Sequence, residues 1–106
     1  MRPRLRILGV SASPRPGSAS AAALGRVLAV ARRLGCETDR LDLPRMRLPF
    51  CNGDKQEPWP AYPDVRRLRE AVRAAHGIVL AGPEYHGGGS GLLKNALDLL
   101  DVEHTE

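Results

Sequence analysis

Two short apolar runs, Leu5 to Val10 and Ile78 to Ala81, each lead into a turn built of small residues and then into a segment with helical spacing. The first turn reads Gly9-Val-Ser-Ala-Ser-Pro-Arg-Pro-Gly-Ser-Ala-Ser20, and the second reads Gly82-Pro-Glu-Tyr-His-Gly-Gly-Gly-Ser-Gly91. Strand and helix alternate along the whole chain, which predicts an α/β protein: a parallel sheet with right-handed crossovers and helices on both faces.

The elements follow from local pattern. Leu5 to Val10 is a buried strand interrupted only by Arg6, and Ser18 to Leu34 is a helix with Leu24, Val27, Leu28, Ala31 and Leu34 at helical spacing. Gly35 supplies its C-terminal stop. Glu37 to Leu43 is a second strand, diluted by Asp39, Arg40 and Asp42. Between positions 44 and 63 five prolines predict an irregular excursion. Asp64 is placed to cap a helix from Val65 to Ala75, with Val65, Leu68, Val72 and Ala75 inward and Arg66, Arg67, Arg69 and Arg73 on the wet face. Gly77 ends that helix before the strand Ile78 to Ala81, and a last helix runs from about Leu92 to Leu100. The 106 residues suit one small domain with a real core, and no internal repeat divides them.

Several function classes are disfavoured. The apolar runs fall far short of the roughly 20 residues that span a bilayer, so no membrane association is expected. The basic N-terminus is followed only by Ile7 to Val10, too short for a signal core, so a cytoplasmic protein is expected. Cys36 and Cys51 lack metal-ligand spacing and read as reduced thiols. The net charge of +4 rests mainly on arginine and suits anionic ligands. The arginines are dispersed and the four aromatics are not interleaved with them, which speaks against nucleic acid.

Both turns fall at the carboxyl ends of strands, where parallel sheets bind ligands. The first offers the hydroxyls of Ser11, Ser13, Ser18 and Ser20, the guanidinium of Arg15 and the N–H groups that open the next helix. Gly17 lets the backbone fold around an anion while Pro14 and Pro16 stiffen it. That set suits a phosphate monoester; capping and turn chemistry explain the same serines, and on this loop alone both readings stand. The pattern is neither GxGxxG nor GxxxxGK[ST]. In the second turn Pro83 fixes the backbone, Tyr85 offers a π face and Gly87 to Gly89 expose N–H groups, which suits a flat heteroaromatic ring. His86 has no second His or Cys at ligand spacing and reads as a backbone-positioned loop residue rather than a base or metal ligand, and Glu84 reads as solvated or packed rather than as a general acid. No catalytic side-chain set and no metal site are expected.

Taken together, the two turns, the second continuing Leu-Leu-Lys-Asn-Ala-Leu-Asp98, resemble the NAD(P)H-dependent FMN reductase family. The resemblance implies a flavodoxin-like, three-layer α/β/α fold with a parallel sheet of order 2-1-3. The family's first loop, G-S-x-R-x-x-S-x-N, binds the FMN phosphate, which carries over to Ser13, Arg15, Ser18 and Ser20, with Ser20 where Asn is usual. Its second loop, P-E-Y-N-x-x-x-P-G-x-L-K-N-A-L-D, lies along the isoalloxazine, which carries over to Pro83, Glu84, Tyr85, His86 and Gly87. Here His86 replaces Asn and Ser90 replaces Pro. Leu48 to Asp54 resembles the family's pocket-shaping L-P-x-Y-N-x-D loop, and Lys94, Asn95 and Asp98 match helix positions expected to be structural or intersubunit.

The resemblance further implies hydride transfer from NADPH or NADH to FMN and on to a small-molecule electron acceptor, whether quinone, azo compound, metal oxyanion or flavin. The cofactor then carries the chemistry. A homodimer or homotetramer is implied as well. Family members continue into two more strands and a third flavin loop, so residues 1–106 are expected to form an incomplete domain lacking the usual fourth and fifth strands, with the third strand as a bare apolar edge. Two other functions fit the same residues: a flavodoxin-type electron carrier, against which the basic charge argues, and a non-catalytic remnant that dimerises or binds phosphate.

Overall fold

The protein is described by a computed structural model covering residues 4–13, 15, 17–49, 62–83 and 91–100. Strand β1 (Arg6–Ser11) leads to helix α1 (Ala19–Arg33), strand β2 (Glu37–Asp42), a 3-10 turn (Leu43–Arg45), helix α2 (Pro63–Ala74), strand β3 (Gly77–Ala81) and helix α3 (Gly91–Asp98). The sheet is three-stranded and parallel, in the order β2-β1-β3 expected from the sequence.

Alternation along β1 separates the two faces. Gly9 turns toward α1, where an added Cβ would stand 2.9 Å from Leu24 Cδ1 and 2.8 Å from Leu28 Cδ1. The absence of a side chain there is what lets the helix lie close on the central strand. Leu8, Val10 and Ala12 take the opposite face and cluster with Leu41, Leu68, Val72 and Ala96, so α2 and α3 form the third layer. Leu8 and Ala12 are fully buried, as a central strand covered on both faces requires.

Five local expectations are corrected; the first is that Gly77 does not stop α2, which ends at Ala74, but opens β3. On α1 only Leu24 and Leu28 are buried, whereas Val27 is 45% exposed and Leu34 is 79% exposed. Leu34 is the C-cap and Gly35 beyond it adopts a φ of +92°, so Leu34 sits past the last turn that touches the sheet. Strand β2 ends at Asp42 rather than Leu43, because the backbone tightens into the 3-10 turn with Pro44 inside it. Asp64 does not cap α2. The helix starts at Pro63, whose missing N–H costs nothing in the first turn, and Asp64 instead accepts a hydrogen bond from the Arg47 N–H at 2.7 Å. Finally, Arg69 leaves the wet face: its Nε and Nη2 donate to the Leu99 carbonyl at 3.0 and 2.9 Å, meeting an acceptor that the end of α3 leaves without an intrahelical donor.

The remaining ties set the edges of the layers. Asn95 Nδ2 donates to the Pro49 carbonyl at 2.9 Å, fastening the chain after β2 to α3. At the amino ends of the strands Arg6 bridges to Asp39 at 2.9 Å and to Glu37 at 2.8 Å, clamping β1 to β2. The hydrogen bond to Asp39, and then the charges of Asp39 and Glu37, raise the Arg6 pKa above its ordinary value. With the folded-state pKa raised, the guanidinium stays charged through the ordinary arginine range, and its part in the clamp fades only in strongly alkaline solution.

Candidate functional site

The first turn leaves the carboxyl end of the central strand. Ala12 N–H donates to the Ala81 carbonyl at 2.8 Å, extending the β1–β3 pairing by one residue, and Gly82 lies so close that an added Cβ would be 3.2 Å from Ala12 Cβ. The chain therefore passes from Ala12 into Ser13 directly beside the start of the second turn at Gly82 and Pro83. The two turns leave one edge of the sheet side by side. Of the second-turn candidates, Pro83 is half-buried there, while Glu84, Tyr85, His86 and Gly87 lie outside the described residues.

The interior of the first turn is organised by the Arg15 carbonyl, which accepts from Ser13 Oγ at 3.3 Å and from the Ser18 N–H at 3.4 Å. Gly17 sits inside this loop at a φ of +73°, a left-handed conformation that side chains disfavour. Ser18 is the N-cap of α1: its Oγ accepts from the Ala21 N–H at 3.2 Å and shares a hydrogen bond with Ser20 Oγ at 3.3 Å. Capping, one of the two readings the serines allowed, is thus what Ser18 does in this structure. The N–H groups of Ala19 and Ser20 in the first turn of α1 lack intrahelical acceptors by helix geometry and carry the positive end of the helix dipole.

A cavity of about 170 Å³ opens against this turn and brings together Ser11, Ser13, Arg15, Arg40, Asp42 and Arg45. It shows what pattern matching on the turn alone did not single out. Arg40, from β2, donates from Nε to Asp42 Oδ1 at 3.1 Å and from Nη2 to the Ala21 carbonyl at 3.4 Å, so it is anchored and largely neutralises Asp42. Arg15 and Arg45 line the same space with no partner for their guanidinium groups among the described residues. Ser11 is only 2% exposed. Arg40 and Arg45 are far from the first turn in sequence; only the parallel register, which sets Ser11 against Asp42, brings them near.

Chemically the cavity is a small pocket of net positive charge beside a helix N-terminus, on the β2 side of the first turn. Those are the features that receive a phosphate group. Among the described residues no group of His, Cys, Asp and Glu could hold a metal ion, and no helix is long and apolar enough to cross a membrane.

Residues 5–106 match the NADPH-dependent FMN reductase family. The chain belongs to this family. It is 36% identical over 95 residues to an NAD(P)H-dependent FMN reductase of Pseudomonas aeruginosa, an alignment covering 89% of this chain and 49% of that protein. It is 40% identical over 78 residues to an NADPH azoreductase of a Bacillus species, covering 72% of this chain and 43% of the relative. In fold it is similar to the apo crystal structure of an NADH:FMN oxidoreductase, with a TM-score of 0.75 at 23% identity, over 92% of this chain and 50% of the other. The 2-1-3 sheet with its covering helices is accordingly flavodoxin-like. The chain spans about half the length of the curated relatives it matches.

Proposed function

We propose that this chain forms the phosphate-holding part of an FMN-dependent NAD(P)H oxidoreductase that passes electrons to a small organic acceptor of quinone, azo or flavin type. The observation that carries this is the cationic cavity at the carboxyl end of β1, whose lining includes Ser13, the residue after the Ala12 against which Gly82 packs. A phosphate site on one turn, with the start of a second, glycine-rich turn beside that turn's first residues, suits a mononucleotide whose ring lies beyond its phosphate. When bound, FMN supplies the hydride and electron transfer that the side chains here do not offer.

The residues present fit the phosphate end of that group. Arg15 lines the cavity without an ion-pair partner among the described residues, so its charge is available to a dianion. The N–H groups of Ala19 and Ser20 aim along the axis of α1 from its positive end. Ser13 lines the cavity and Ser18 and Ser20 bond each other at the start of α1; with Arg15 these three are the proposed phosphate contacts. Pro83 and the residues after it would set the ring over the sheet edge, with Glu84, Tyr85, His86 and Gly87 as the proposed ring contacts.

The test is spectroscopic. The purified chain is loaded with FMN and mixed with NADPH without oxygen. Loss of the yellow flavin absorbance is the expected result; a flavin that stays yellow supports the electron-carrier alternative, and a chain that takes up no FMN defeats both.

A further inference from the structure

We propose that the His76 imidazole is a proton-operated clasp on the amino end of the β1–β3 pairing, closed by the neutral ring and released when the ring takes up a proton. The observation behind it is a pair of hydrogen bonds made by one residue. The His76 N–H donates to the Arg6 carbonyl at 2.8 Å, and the Arg6 N–H donates in return to His76 Nδ1 at 2.9 Å. Both backbone groups of Arg6 are thus met by His76, one residue before the register opens at Ile7 and Gly77. The junction is tight, since a Cβ added at Gly77 would stand 3.2 Å from Ile7 Cδ1.

A side-chain nitrogen here does the work of a backbone carbonyl, and that carries a condition. An imidazole accepts only through a nitrogen that bears no proton, so the bond fixes the ring as neutral with its proton on Nε2. The imidazolium donates from both nitrogens and accepts at neither. Protonation therefore sets two N–H groups against each other where one bond stood, a change that a carbonyl in the same place never makes.

The charges around the ring offer the extra proton no compensation. On β1 the charged neighbour is Arg6, whose guanidinium already holds the carboxylates of Asp39 at 2.9 Å and Glu37 at 2.8 Å on β2. Arg4 lines a separate cavity at the amino ends of the strands together with Arg6 and Glu37. On its other side His76 lines an apolar groove with Val72 and Ala75 from the end of α2, Ile78 of β3, and Leu97 and Leu100. No Asp, Glu, Lys or Arg lines that groove among the described residues, and Arg73, in the last turn of α2, is exposed and outside it. His76 is itself exposed, so protons reach it from bulk solvent. The closed clasp takes only the neutral ring, whereas the unfolded chain takes either form. The stability that the bond adds is therefore present above the ordinary histidine range and lost as pH falls through it.

Hydrogen exchange at the Arg6 amide, followed by NMR on the full chain and expressed as protection over the intrinsic rate, reads the clasp directly. It is measured at about pH 8 and about pH 5.5, on either side of the ordinary histidine range and above that of the carboxylates. In the wild type, protection is expected to fall roughly three- to fivefold at the lower pH, in step with protonation of the His76 ring followed by its nitrogen shifts. His76→Asn does not titrate in this range and is expected to give a flat profile, whatever its level. His76→Ala is expected to be as poorly protected at the higher pH as the wild type is at the lower.

Equal wild-type protection at both pH values, a fall that does not follow the titration of the ring, or the same fall in His76→Asn overturns the clasp. So does full protection in His76→Ala. Should that variant fail to fold, the wild-type titration and His76→Asn decide the matter by themselves.

Discussion

At position 17 the backbone holds a φ of +73° with nothing within 4 Å of where a Cβ would stand, so a side chain there meets a conformational cost and no clash. Position 9 is the reverse case. Its backbone is ordinary strand, but a Cβ would press within 3 Å of Leu24 and Leu28 at the α1 interface. Gly17→Ala is expected to lower stability by about 1 kcal/mol, and Gly9→Ala by about 1–3 kcal/mol through overpacking, both measured by urea denaturation. The first substitution should also weaken flavin uptake, since it strains the loop that shapes the cavity. Sequence reasoning found the glycines and serines of the turn because turn chemistry is local. That Ser11, one of the four hydroxyls the turn offers, is almost wholly buried shows only once α1 covers the strand.

At the level of elements, strands β1 and β3 and the stop at Gly35 were legible because each rests on a local apolar run or on a single residue's backbone freedom. The corrections fall where tertiary contact decides. Asp64 had the chemistry of a cap but found the Arg47 amide instead, and Arg69 had the spacing of a solvated face but reaches the end of α3. Arg69→Ala is therefore expected to cost about 1–2 kcal/mol, since a half-buried charged donor and its acceptor both lose their bond. Arg66→Ala on the exposed side should stay within about 0.5 kcal/mol. Ser18→Ala removes the α1 cap and is expected to cost about 1 kcal/mol; chemical denaturation of the three variants side by side checks the ranking.

Over the whole molecule the two outer strands differ in how they meet solvent. Strand β2 carries Glu37, Asp39, Arg40 and Asp42, a charged edge of the kind that resists further pairing. Strand β3 pairs with β1 on one side, and its Ile78 and Leu80 are 46% and 49% exposed. Beside them an apolar groove of about 450 Å³ runs past Val72, Leu97 and Leu100. Leu80→Lys places a charge on this exposed apolar edge and is expected to reduce the light scattered by concentrated solutions; equal scattering by both proteins contradicts the assignment of that edge. At the other end of the same sheet, the parallel register gathers residues from β1, the first turn and the end of β2 around one cationic cavity. Family resemblance pointed to the turn, but only the assembled sheet supplies Arg40 and Arg45. The central claim is that this cavity holds a phosphate, and the most direct measurement is the dissociation constant of the purified chain for FMN and for riboflavin by flavin fluorescence, at one salt concentration. FMN is predicted to bind at least about tenfold more tightly, as charge-assisted hydrogen bonds to a dianion require; equal affinity for the two flavins would contradict it.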